Sequence, residues 1–170
     1  MSKVDKLHRF FIYVGLSIVV GLATGCSSNP QFGAAVSELL TVDSYDIRVK
    51  LTVSQDVNPD PNGRPSPVVL QIFQLTNDSK FQQANLADLL DNHEAMLAAE
   101  LIKMDRTLAS PANNLTYELT VNADTKYLGV LAAFQKEDGI AKRVIDIEGG
   151  WSKDICIELA KTSIAAATRC

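Results

Sequence analysis

Between residues 45 and 53 the chain alternates without a break. Tyr45, Ile47, Val49, Leu51 and Val53 are apolar, and Asp46, Arg48, Lys50 and Thr52 between them are polar. Side chains on a strand point alternately to its two faces, so this pattern specifies a strand buried on one side, which needs a second layer to cover it. The next segment, Ser54 to Pro67, holds Pro59, Pro61, Pro65 and Pro67 together with Asn62-Gly63. A regular strand does not tolerate that many missing N–H donors, so it is a long loop. Val68 to Leu75 is rich in β-formers again.

Further strands follow. Leu115, Tyr117, Leu119 and Val121 alternate with polar residues, and Tyr127 to Phe134 is almost continuously apolar and uncharged. The second pattern suits a central strand covered on both faces. Lys136-Glu137-Asp138-Gly139 is a turn, and Arg143 to Ile147 is the returning strand with Ile145 and Ile147 inward. Gly149-Gly150 breaks it before Trp151. Ile155, Ile157 and Leu159 form the last clear strand, with Cys156 on the opposite face. Ser163 to Cys170 is small-residued and expected to be loose or weakly paired.

One stretch is helical in character. In Ser79 to Asn92, Phe81, Leu86, Leu89 and Leu90 suit one face of a short helix, and Asn85 with Asp88 supplies a capping pair. Ala95 to Asp105 has helix-forming residues but precedes strands, and both assignments stay open. About seven strands with one helical insertion predict an all-β chain, an antiparallel β-sandwich. The sandwich is expected over 44–161, with the insert at about 79–92 and a C-terminal tail at 162–170.

The N-terminus is organised differently. Lys3, Lys6 and Arg9 are followed by an uncharged, mainly apolar run from Phe10 to Ala23, which ends in Thr24-Gly25-Cys26. That run is shorter than the ~20 residues needed to span a bilayer comfortably and suits the h-region of a signal peptide. Small residues before the cysteine resemble a bacterial lipobox. The resemblance implies a signal peptide over 1–25, acyl chains on Cys26 and a tether over 26–43. Ser27, with no aspartate beside it, resembles the sorting signal for the outer membrane, so the body is expected to face the periplasm.

The chain has 170 residues, 46% apolar and 21% charged, the balance of a globular protein, with a formal net charge of −4. Three of the 16 basic residues and one of the 20 acidic ones precede Cys26, which leaves the body at −6. That charge and the 6% aromatic content argue against a nucleic-acid binder. Cys156 and Cys170 allow a disulfide in an oxidising compartment; one buried and one free thiol is the other reading.

Residues for catalysis are sparse. His93 is the single histidine after Cys26. There is no G-x-S-x-G, H-E-x-x-H or C-x-x-C motif. His93 with two distant cysteines makes a poor zinc set, and Asp56 and Asp60 lack the closing glutamate of a calcium loop, so no metal is expected. The loop from Asn58 to Pro67 stands out instead. It is too polar for a core, and its prolines lower the entropy lost on docking. Arg64 offers fixed donors to a partner's carboxylate or carbonyls, or else clamps the loop to the body.

These residues carry a family resemblance. Asn58-Pro59, Gly63-Arg64-Pro65-Ser66-Pro67-Val68-Val69 and Ile72-Phe73-Gln74-Leu75 resemble the signature of the type VI secretion lipoproteins called TssJ, SciN or VasD. Asp78 to Leu90, with Phe81, Ala84 and Leu89, is similar to that family's helical insert, and Tyr127 to Phe134 to its Y-L-G-V-x-A-x-F strand. The lipobox and the late tryptophan also fit. The resemblance implies a transthyretin-like sandwich without enzymatic activity or cofactor beyond the lipid on Cys26. It also implies an anchor in the outer membrane and binding to the periplasmic C-terminal region of TssM, completing a complex with TssL. The implied contact loop contains Asn58, Pro59, Asp60, Asn62, Gly63, Arg64, Pro65 and Ser66. Two other classes are weighed beside it, a lipoprotein binding a small ligand and a periplasmic hydrolase with unmarked carboxylates.

Overall fold

Residues 43–136, 139, 141–149 and 154–170 are described by a computed structural model. The signal segment, Cys26, the tether before residue 43 and Trp151 lie outside the described residues. The alternating segment forms β1 (Ser44–Val53), and Ile47, Val49, Leu51 and Val53 are all buried. Their partners come from a second sheet, led by β2 (Val68–Leu75) with Val68, Leu70 and Ile72. Burying a side chain of this size contributes about 1.5–3 kcal/mol. The shared apolar layer is therefore what fixes the register of both sheets.

The other strands are β3 (Leu101–Ala109), β4 (Leu115–Asn122), β5 (Tyr127–Ala133), β6 (Lys142–Asp146), β7 (Asp154–Leu159) and β8 (Ile164–Arg169). One sheet has the order β4-β1-β7-β8 and the other β3-β2-β5-β6. Pairing is antiparallel except between β1 and β7. Those two are far apart in sequence, so no hairpin dictates their direction.

One open reading is settled and two expectations need correction. The ambiguous Ala95–Asp105 stretch divides, and from Leu101 it becomes strand β3, because pairing with β2 from Val68↔Ala109 to Leu75↔Leu101 outweighs local helix preference. The tail is not loose: β8 pairs with β7 from Ile155↔Arg169 to Leu159↔Ile164, which makes eight strands among the described residues. The insert is three short helices rather than one: α1 (Ser79–Gln83), α2 (Leu86–Asp91) and α3 (His93–Leu97). Ala84 is extended and breaks the first pair, and the Asn85 side chain then caps α2 by accepting from the Asp88 N–H at 2.8 Å.

The insert builds a third layer on the outer face of the second sheet. Phe81, Ala84, Leu89 and Leu97 pack against Phe73, Leu75 and Leu131. Lys142 on β6 fastens it: its ammonium donates to the carbonyls of Phe81 at 3.0 Å, Gln82 at 2.7 Å and Ala84 at 2.5 Å, at the C-terminal end of α1. Burial lowers the Lys142 pKa.

Candidate functional site

Strand directions divide the sandwich into two poles. β1 ends where the loop 54–67 begins, and β7, parallel to it, ends at the same pole. The β3–β4, β5–β6 and β7–β8 turns gather there as well, because β3 and β5 run antiparallel to β2 and β4 runs antiparallel to β1. The described chain enters β1 at the opposite pole, where the Asp43 carbonyl accepts from the Ala123 N–H at 2.9 Å. β1 is ten residues long, so about 30 Å separates its entry from the loop.

The loop has a buried base and an exposed tip. At the base Val57 is fully buried and Asn58 is 3% exposed. Asn58 has φ +48°, a left-handed conformation that asparagine tolerates better than most residues. Its Nδ2 donates to the Pro67 carbonyl at 2.8 Å, and its Oδ1 accepts from the Gln135 N–H at 2.7 Å. Its backbone N–H donates to the Lys161 carbonyl at 2.7 Å, and its own carbonyl accepts from the Ser66 hydroxyl. Gln135 Nε2 donates to the same hydroxyl at 2.9 Å. One asparagine thus joins the loop to the β5–β6 and β7–β8 turns. The β3–β4 turn joins through the Ala112 N–H, which donates to the Ser54 carbonyl at 3.3 Å.

The tip is closed on itself. Asp60 Oδ1 accepts from the N–H groups of Asn62 at 2.8 Å and Arg64 at 2.9 Å, and Oδ2 receives Nε and Nη2 of Arg64, each at 2.9 Å. The Gly63 N–H donates to the Asp60 carbonyl at 2.8 Å, with Gly63 at φ +78°. The Arg64 backbone N–H foremost, then its guanidinium and Asn62, hold the Asp60 carboxyl below the usual carboxylate range against the opposing effect of desolvation. Arg64 therefore clamps within its own loop rather than onto the body, while its side chain stays 76% exposed.

The expected contact residues accordingly separate. Asn58 and Pro59 are buried, Asp60 and Ser66 are half-buried, and Asn62, Gly63, Arg64 and Pro65 are exposed together with Pro61. Gln135 and Lys161 belong to this pole although nothing local in the sequence marks them. Cys156 and Cys170 are joined by a disulfide with a Cα–Cα separation of 5.8 Å. It lies toward the other pole, where the Cys170 N–H donates to the Asp154 carbonyl at 3.0 Å.

The remaining chemistry is sparse. Among the described residues no group of three or more His, Cys, Asp or Glu side chains is placed to hold a metal ion, and no helix is long and apolar enough to cross a membrane. His93 sits in the insert, edge-on to Phe73 at 5.6 Å, on the far side of the second sheet from the sandwich interior. An open groove of about 510 Å³, lined by residues that include Tyr45, Thr125, Lys126 and Glu148, lies at the entry pole rather than beside the loop.

Comparison with known proteins adds a family. A family model described as type VI secretion lipoprotein, VasD, EvfM, TssJ, VC_A0113, matches residues 45–162. Among solved structures the chain is similar to the T6SS lipoprotein TssJ1 from Pseudomonas aeruginosa, with 26% identity and a TM-score of 0.67 over 72% of this chain and 95% of that one. It shares its fold with Serratia marcescens Lip, a membrane-bound component of the type VI secretion system (15% identity, TM-score 0.67, 74% of this chain and 96% of that one). It also shares it with a chain in a structure described as the T6SS protein TssM C-terminal domain from EAEC (20% identity, TM-score 0.62, 71% and 98%). No protein of curated function matches.

Proposed function

The chain belongs to the type VI secretion lipoprotein family of VasD, EvfM and TssJ, and from that premise we propose that it is anchored in the outer membrane by acyl chains on Cys26 and grips the periplasmic C-terminal region of TssM. The loop pole makes the contact, and the contact completes an envelope-spanning complex with TssL. The role is structural, with no catalytic step and no cofactor beyond the covalent lipid.

One observation carries this reading: the stiff loop and the point of chain entry lie at opposite poles of the sandwich. Within the described body the loop pole is the end farthest from Asp43, and it is the end we assign to a partner rising from the inner membrane. Three acyl chains, at about 0.8 kcal/mol per buried CH₂, would make the anchor effectively permanent. The tip already has its turn closed by Asp60 and Arg64, so little ordering remains to oppose docking. The occurrence of this fold in a structure described as the TssM C-terminal domain supports the choice of partner.

The test replaces the exposed tip by Asn62→Ala, Gly63→Asn and Arg64→Ala together; asparagine is chosen at 63 because it tolerates positive φ. Calorimetry of the full-length lipoprotein in detergent with the TssM periplasmic region should show weakened binding, with the circular dichroism unchanged. Wild-type affinity in a folded triple variant would overturn the loop as the contact.

A further inference from the structure

We propose that Asn58 is the positioning residue of the loop pole, and that the surface presented to the partner is a composite of the tip and the β7–β8 turn, reaching as far as Lys161. This rests on the reading that the pole binds a protein. Among the described residues the hydrogen bonds of the tip stay within the loop, where Asp60 and Arg64 satisfy one another. What sets the tip relative to the neighbouring turns is the base, and there Asn58 uses both ends of its side chain and both of its backbone groups.

Burial makes this arrangement selective. A polar side chain that is 3% exposed strongly favours the one conformation in which its amide is fully hydrogen-bonded, because an unmet bond there leaves a desolvated polar atom with no compensating partner. The Gln135 and Lys161 backbones are thereby fixed relative to Pro67, and the exposed Lys161 side chain starts from a fixed root. The composite fits a partner surface wide enough to touch both tip and turn, with an acidic group opposite Lys161. A partner that read the tip alone would be indifferent to this geometry.

Two measurements on the full-length lipoprotein decide the matter. Asn58→Gly keeps the positive φ and removes both side-chain bonds. Amide exchange without partner should then accelerate at Gln135, while the amides in the middle of β1 and β2 keep their protection. Affinity for the TssM periplasmic region should fall roughly tenfold. Lys161→Glu should cost a similar factor in the wild-type background and clearly less in the Asn58→Gly background, a coupling that plain destabilisation does not produce. If Asn58→Gly fails to fold, Ser66→Ala loosens the same junction more mildly and should shift exchange and affinity in the same directions. Unchanged Gln135 exchange in Asn58→Gly overturns the positioning role, as does faster exchange with wild-type affinity. Wild-type affinity in Lys161→Glu overturns the composite surface. If the wild-type chain captures no partner, the proposed function fails, and the exchange measurement still decides whether Asn58 holds the pole.

Discussion

Gly129 and Phe81 share one space: a β-carbon on Gly129 would lie 2.8 Å from the Phe81 ring, well inside van der Waals contact. Gly129 is on β5, in the sheet, and Phe81 is on α1, in the insert. The bare glycine is the slot that lets the ring reach Phe73, at 5.3 Å between centroids. Gly129→Ala should therefore overpack the site and cost about 1–3 kcal/mol. Phe81→Ala should cost about 3–5 kcal/mol by leaving a cavity. The double variant should be less destabilised than the sum, because the new methyl enters the emptied space. Chemical denaturation of the four proteins checks this, and strict additivity would mean the two residues do not compete.

Tyr117 predicts an alkaline limit to stability. Burial first, and the negative charge of Asp105 second, push its hydroxyl up to about 12. The folded-state pKa is thus raised above the unfolded value of about 10, and the folded protein holds the proton more tightly. This contribution is fully present below pH ~10 and is lost as pH rises toward ~12, on the order of 2 kcal/mol in all. Tyr117→Phe should flatten that part of a stability-against-pH curve. A curve identical to wild type between pH ~9 and ~12 would show that the hydroxyl ionises without penalty.

Asp60 sets the opposite limit, at acid pH. Its carboxyl is held low by the Arg64 N–H and guanidinium and by Asn62. The ordering it provides is present above the ordinary carboxylate pKa and is lost as pH falls through the depressed folded value. NMR titration should place the Asp60 midpoint below that of a free aspartate, with Arg64 amide protection disappearing over the same range. In Asp60→Asn the amide resonance of Arg64 should no longer track that titration.

The disulfide holds an edge strand. Among the described residues β8 pairs with β7 alone in the sheet order, and Ala166 and Ala167 give it little side-chain area. Closing the loop between Cys156 and Cys170 should contribute about 3 kcal/mol in the chain-entropy model. Cys156→Ser with Cys170→Ser should lower the melting temperature and speed amide exchange in β8 well before β1. A thiol titration without reductant should find neither of these sulfurs free.

Legibility in the sequence followed locality. β1 was readable because its alternation is a property of nine consecutive residues, and the Asn85–Asp88 cap because both partners lie within one turn. β3 and β8 were not. Leu101-Ile102-Lys103-Met104 favours no one structure by itself, and its strand is dictated by β2, whereas β8 needs both β7 and the disulfide. The loop showed its place through its prolines, but not its division into base and tip. Asn58 looks like one more polar loop residue until Gln135, 77 positions away, supplies the N–H that buries it. The two buried glutamines of β2 were also missed. Gln74 accepts from the Asn122 N–H at 3.0 Å and donates to the Thr120 carbonyl at 2.9 Å, tying the second sheet to β4, and no local pattern announces that.

Anchor and grip should be separable. Cys26→Ala removes the acylation site proposed for the lipid, and the sandwich begins only at Ser44, so its fold should be untouched. That variant should leave the membrane fraction yet bind the TssM periplasmic region with wild-type affinity in solution, while secretion in cells fails. The tip variant should do the reverse, staying in the membrane fraction and losing the partner. Because the two tasks are assigned to separate parts of one chain, expressing both variants together should not restore secretion, since neither molecule connects membrane to partner. Normal secretion by Cys26→Ala alone would show that the machine does not need the anchor, and restored secretion in the mixture would show that the two tasks need not lie on one chain.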